Sequence, residues 1–266
     1  MRNTICLLFT CTVLISICAA QTNDEVNFND EFDGITIIDI STVSGNCTVL
    51  KHDEQTVKIF LTYKYKPIKN FEPLVWKEKN KLIIKEKMHG SNSGNSEWTL
   101  MVPKNTDIKI KSASGNIQLE KIAGKIQVNT ASGNIEGLNI TTLEGSELIS
   151  ASGNIHASEI TILGNSKFTS ASGNVNIILN ESPQFNLLVS SASGNSTLNY
   201  NHYTIRGHLE MKARTSKGKT ICPIGIDDKS EVVVNNQKYI VKSVTLENSS
   251  PTIEIHTASG IAELKL

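Results

Sequence analysis

The chain has 266 residues, 26 of them basic and 26 acidic, so its formal net charge is zero. That balance removes the electrostatic argument for nucleic acid or an anionic membrane surface as a partner. Hydrophobic residues make up 39% and aromatic residues only 5%. An apolar set dominated by Ile, Leu and Val favours strands packed on one another over a pocket lined with rings.

The first element is a targeting segment. Met1-Arg2-Asn3 supplies a short positive region, residues 5–17 are apolar with small or hydroxyl interruptions, and Cys18-Ala19-Ala20 places small residues before Gln21. Residues 1–20 are therefore expected to be a signal peptide that sends the protein to the periplasm, the outer surface or the medium. A lipid on Cys18 is the second reading, because Ile17 is bulky where a lipoprotein signal takes a small residue. The apolar run is short for a membrane span, and no second long run follows, so no span is expected in the mature chain. Cys6, Cys11 and Cys18 fall inside the leader. Cys47 and Cys222 remain, too few for a disulfide framework. Both occupy core-like positions, and a Cys47–Cys222 disulfide stays open as the alternative.

Residues 21–105 read as an irregular β-rich capping part. Residues 31–40 open a strand pair and residues 56–65 alternate as a strand. Leu74-Val75-Trp76 and Leu82-Ile83-Ile84 flank the charged tip Lys77-Glu78-Lys79-Asn80-Lys81 as a hairpin, and residues 98–102 form another strand stopped by Pro103. The mixed Lys and Glu of residues 77–87 read as a solvated edge that discourages strand-to-strand aggregation.

Residues 106–266 carry a repeat, continuous with the preceding part. Ala-Ser-Gly-Asn recurs at Ala113–Asn116, Ala131–Asn134, Ala151–Asn154, Ala171–Asn174 and Ala192–Asn195. The steps between Gly115, Gly133, Gly153, Gly173 and Gly194 are 18, 20, 20 and 21 residues. Val43-Ser44-Gly45-Asn46 is an earlier copy, Thr257-Ala258-Ser259-Gly260 a later one without the Asn, and Ser216-Lys217-Gly218 a degenerate one. The flanks recur too. Five residues before the Gly stand Ile40, Ile110, Val128, Leu148, Phe168, Val189 and Ile255. Three before it stand Thr42, Ser112, Thr130, Ser150, Ser170, Ser191 and Thr257. Two after it come Cys47, Ile117, Ile135, Ile155 and Val175, with Ser196 the exception. The inward phase thus shifts by one residue across the turn, as it must when a strand bends round a corner and keeps its apolar side inside. Gly and Asn suit such a corner because they tolerate positive φ.

A second corner falls at Ile122-Ala123-Gly124, Leu143-Glu144-Gly145 and Ile162-Leu163-Gly164. Two strand segments per turn of roughly twenty residues predict an all-β chain. The expected form is a single-stranded β-solenoid, a parallel β-helix-like roll with β-hairpin capping segments at both ends. Asn116, Asn134, Asn154, Asn174 and Asn195 would stack as a row of amides bonded to one another, and the Ser/Thr positions would form a second, partly buried row. Stacking is a sufficient reason for the recurrence, so the Asn row reads as structural, with a ligand-binding array as the alternative. Near the C-terminus Val232-Val233-Val234, Asn235-Asn236 and Tyr239-Ile240-Val241 read as a hairpin, and the chain returns to the repeat over residues 253–260.

The Phe32-Asp33-Gly34-Ile35 strand, Val102-Pro103 before the first regular copy, the serial Ser-Gly-Asn-Ile turns and the closing Ile253-Glu254-Ile255-His256-Thr257-Ala258-Ser259-Gly260 together resemble the bacterial putative-adhesin families of β-strand repeat proteins. These are domains of unknown function that include the kind called head GIN. The resemblance covers residues 28–266 and implies a secreted or surface β-helical protein. It offers no catalytic residue to carry over.

A search for chemistry finds no catalytic set, cofactor site or metal motif. Glu120, Glu136, Glu144, Glu147, Glu159 and Glu181 fall at different phases of the coil, unlike the clustered carboxylates of a glycosidase or lyase. The six His are singles without metal spacing. His202, His208 and Glu210 come nearest to a cluster and read as a strand-end surface. Gly218-Lys219-Thr220 imitates only the tail of a phosphate loop.

The sequence therefore leads to an exported, non-enzymatic adhesin-like or binding scaffold, with a cell-surface glycan or protein as partner. A self-assembling envelope element is the alternative, and a carbohydrate-active β-helix enzyme ranks below both.

Overall fold

The computed structural model describes residues 25–266. The expected signal peptide, with Cys18, lies outside the described residues. Among these the protein is all-β: apart from one 3-10 turn at Ile68–Asn70, every element is a strand.

The strands form two long sheets whose central members run parallel. In spatial order the first sheet runs through Lys81–Met88, Ile37–Thr42, Asp107–Ser112, Ile126–Thr130, Ser146–Ser150, Ser166–Ser170, Leu187–Ser191, Thr252–Thr257 and Gly207–Arg214. The second runs in step through Ser93–Val102, Asn46–Lys51, Ile117–Glu120, Ile135–Leu138, Ile155–Ile162, Val175–Leu179, Ser196–Asn199, Ile261–Lys265 and Lys219–Ile221. One strand from each sheet, joined by a Ser-Gly-Asn type turn, makes one rung. A third, short ladder of Ala123–Gly124, Thr141–Thr142 and the end of Ile155–Ile162 occupies the second corner. The regular rungs there have three strand segments, one more than the repeat spacing predicts.

Packing follows the phase shift. Ile108, Ile110 and Ser112 point inward before the turn and Ile117 and Leu119 after it. Residues of equal phase are register partners, so Ile40, Ile110, Val128, Leu148, Phe168, Val189 and Ile255 form one buried column through seven rungs. Each such side chain contributes about 1.5–3 kcal/mol by leaving water.

Both ends depart from sequence order. The rung Lys81–Met88 with Ser93–Val102 lies outside the earlier Ile37–Thr42 and Asn46–Lys51. At the far end the closing strands Thr252–Thr257 and Ile261–Lys265 slot inside Gly207–Arg214 and Lys219–Ile221. Antiparallel strands lie beyond these outer rungs. Phe71–Glu78 pairs with Lys81–Met88, while Thr56–Lys66 and then Val26–Asp33 extend Ser93–Val102. Gln237–Leu246 and then Asp228–Val234 extend Gly207–Arg214. The last two are joined by Asn235 and Asn236, both at positive φ as a two-residue hairpin requires. The described part of the expected cap, residues 25–105, thus supplies two rungs of the stack as well as the covering strands at that end.

Candidate functional site

The turn row occupies one corner of every regular rung. The side-chain Oδ1 of Asn46 accepts the backbone N–H of Asn116 at 2.8 Å. Asn116, Asn134, Asn154 and Asn174 do the same for Asn134, Asn154, Asn174 and Asn195, at 2.8–3.1 Å. Asn195 accepts from Ile261 at 2.9 Å, and the row stops there because Ile261 has no side-chain acceptor. Each bond runs from a backbone N–H to a side-chain oxygen, so the amide-on-amide ladder expected from the sequence is corrected. Under this row lie the hydroxyls, all buried. Ser170 donates to the Gly153 carbonyl at 2.8 Å and accepts the Gly173 N–H at 2.9 Å, and Ser150 does the same with Gly133 and Gly153. Ser150 and Ser170 thus each satisfy a backbone group in their own rung and one in the rung before, while Thr130 accepts only the Gly133 N–H and Ser191 and Thr257 donate only to the carbonyls of Gly173 and Gly194.

Gly115 and Gly260 stand at positive φ as the sequence suggests, but the glycines between them have a different cause. Gly133, Gly153, Gly173 and Gly194 are not at positive φ, and neither are the row asparagines. A Cβ at any of these glycines would fall far inside contact distance of the preceding glycine's carbonyl oxygen. Close approach of stacked backbones, rather than turn conformation, demands Gly here.

A second polar row, at the opposite end of the first-sheet strands, escapes the sequence reading. Glu144 accepts from the Asn165 N–H at 2.9 Å, Asn165 from Asn186 at 3.0 Å and Asn186 from Thr252 at 2.8 Å. Asp107 accepts from Lys125 at 2.9 Å. The signal was present: Asp107, Asn165 and Asn186 all stand eight residues before a repeat Gly.

Both rows spend their side-chain oxygens on backbone N–H groups of the next rung. A groove of about 480 Å³ opens on the outer face of the first sheet. Its floor includes the column Asn129, Ile149, Thr169, Ser190, His256 and Lys212, which are consecutive register partners on six rungs. Beside it runs a row of repeat alanines, Ala151, Ala171, Ala192 and Ala258, and Val234 and Tyr239 of the C-terminal hairpin form a wall. The Lys212 ammonium lies 5.3 Å from the centroid of the Tyr239 ring. The Thr169 hydroxyl oxygen is buried without a hydrogen-bond partner.

At the hairpin end, Glu210, Glu254 and His256 come together. Nε2 of His256 is 3.2 Å from a Glu210 oxygen and 3.4 Å from a Glu254 oxygen. Burial holds the imidazole below its ordinary pKa, against the opposing pull of Glu254 and then Glu210. The sequence pairs Glu210 with His202 and His208, and the structure corrects this. His208 bonds Thr245 through Nδ1 at 2.9 Å, and Glu210 instead meets residues more than forty positions away. Only the out-of-order insertion of Thr252–Thr257 creates the cluster.

Glu86, read from the sequence as part of a solvated edge, is 8% exposed. It follows Lys85, the register partner of Ser41, and so stands at the corner end of the outermost rung. Its carboxyl oxygens accept from the Val43 N–H at 2.6 Å, from Trp98 Nε1 at 2.8 Å and from the Ser96 hydroxyl. Cys47 is buried as expected, and burial, reinforced by Glu86, pushes its thiol up to about 12. Cys222 is half-buried, both thiols are free, and a bond between them is ruled out. They stand seven rungs apart in the second sheet, roughly 34 Å at the spacing of paired strands.

The described fold is similar to three solved structures. A putative adhesin from Bacteroides fragilis aligns at TM-score 0.40 and 14% identity, over 92% of this chain and 97% of that one. A putative cell adhesion protein from Clostridium sporogenes aligns at TM-score 0.33 and 11% identity, over 91% and 99%. A putative adhesin from Parabacteroides merdae aligns at 0.30 and 11%, over 91% and 96%. No curated protein matches the sequence. The model of the Toastrack family, a domain of unknown function (DUF4097), matches twice, over residues 35–146 and 123–221, so the two matches overlap and span most of the repeat. On that coverage, the chain belongs to the Toastrack DUF4097 family.

Proposed function

We propose that this protein is an exported, non-enzymatic binding scaffold of β-solenoid form that holds an extended partner, a cell-surface glycan in the first instance, in the groove on its first sheet. The observation that carries this reading is the groove's own repeat. Rung after rung presents one variable side chain and one alanine, Ile149 with Ala151, Thr169 with Ala171, and Ser190 with Ala192. A surface that repeats every ~4.8 Å suits a ligand that also repeats. The hydroxyls, methyls and one aromatic wall suit a polar chain with apolar faces. Export is supported by the pattern of residues 1–20. The test is binding of a chain beginning at Gln21, which keeps every described residue, to arrays of surface glycans and proteins. A specific signal that falls at least tenfold with Tyr239→Ala and with Ala171→Glu is expected. Silence across the arrays, or a signal indifferent to both changes, overturns the reading.

One observation favours self-association as a second reading. Asp228–Val234 is a sheet edge paired on one side only, and its Val233 is 62% exposed. Light scattering would show growth with concentration, abolished by Val233→Lys. A monomer at every concentration removes it.

A further inference from the structure

We propose that Glu210, Glu254 and His256 form a site for one divalent transition-metal cation of zinc type, a role that goes beyond the groove reading and does not depend on it. Glu210 and Glu254 are direct register partners on neighbouring parallel strands, and both face outward. Adjacent like charges in register are destabilising unless something positive lies between them. Their own row supplies nothing: Leu188 stands on the far side of Glu254 and Ser243 on the far side of Glu210. Lys212, two residues along the strand from Glu210, is drawn over the Tyr239 ring. What faces both carboxylates is Nε2 of His256, which is buried and has no hydrogen bond of acceptable direction.

The spacing fits a bound metal. Zinc binds imidazole nitrogen and carboxylate oxygen at about 2.0–2.1 Å, which sets tetrahedral ligand atoms about 3.3–3.4 Å apart. The two nitrogen-to-oxygen separations are 3.2 and 3.4 Å, and all three donor atoms lie within 4.8 Å of one another. Rotation of the partly exposed carboxylates closes the third side. One nitrogen with two oxygens favours zinc or a neighbouring transition metal over Mg²⁺ or Ca²⁺, which take all-oxygen shells. The fourth position is left for water or a ligand group.

The competing account is a protonated His256 shared by two carboxylates, and zinc alone separates the two. Calorimetric titration of ZnCl₂ into the chelator-treated chain from Gln21 should show one equivalent binding at micromolar concentration or tighter. Glu210→Gln and His256→Gln should each weaken it at least tenfold, and His208→Gln should leave it unchanged. Bound Co²⁺ should show the strong visible absorption of a tetrahedral centre. Should His256→Gln fail to fold, Glu254→Gln, on a more exposed side chain, gives the same readout. Absence of saturable zinc binding, or binding indifferent to the Glu210 and Glu254 changes, overturns the proposal, and neither result bears on the partner arrays.

Discussion

At the residue scale, the recurring tetrapeptide divides into parts with separate physical duties. Gly lets backbones approach, the Ser or Thr hydroxyl bonds one or two backbone groups, and Asn ties each rung to the next. Ser170→Ala strands the Gly153 carbonyl and the Gly173 N–H, so urea unfolding should show a loss of about 2–3 kcal/mol. Gly153→Ala forces a methyl against the Gly133 carbonyl and should cost on the order of 3 kcal/mol. Asn154→Ala leaves one exposed N–H to water and should cost only about 0.5–1.5 kcal/mol. An order of effects with Asn above Gly would contradict this division. The inward phases were legible in the sequence because burial imposes them residue by residue. The cause of the glycines was not, since close approach belongs to stacked rungs and leaves no trace in a single turn.

Cys47 gives a second residue-scale prediction. Its thiol is raised from 9.0 to about 12, so the folded state keeps it neutral while the unfolded chain ionises. The stability this contributes is complete below pH 9 and is lost as pH rises from 9 towards 12. Titration of unfolding over that window should show a slope that Cys47→Val reduces. At pH 9 a thiol reagent should modify Cys222 in the folded protein and reach Cys47 only after unfolding. Equal labelling of both would show that the second rung is open.

At the scale of elements, the two ends differ from the middle in how they were read. The hairpins around Lys79-Asn80 and Asn235-Asn236 were visible from turn residues and flanking β-branched runs. Their placement was not, because parallel insertion out of order depends on which edges remain free after the rest has stacked. The buried Glu86 shows the same limit: neighbours in sequence make it a surface residue, and its place at the end of the paired strand makes it the acceptor for a corner. Glu86→Ala leaves the Val43 N–H and the Trp98 indole without acceptors and should cost about 3–5 kcal/mol. Hydrogen exchange should show the loss concentrated in Ile37–Lys51 and Ser93–Val102. A variant as stable as wild type would mean that water replaces the carboxyl.

At the scale of the molecule, the stack separates what holds it together from what it offers. The side-chain oxygens of the polar rows at two corners are bonded within the stack, while the outer face of the first sheet repeats as a groove. The sequence made the repeat plain and pointed to its asparagines. The groove needed the register of six strands drawn from residues 126–257, together with a hairpin that curls beside them. The most direct measurement is the binding signal of Asn154→Ala beside that of Tyr239→Ala on the same partner array. The account predicts that the Asn154 variant keeps the signal and the Tyr239 variant loses it. Loss in the Asn154 variant with retention in the Tyr239 variant would return the ligand face to the turn row and contradict the assignment of the groove.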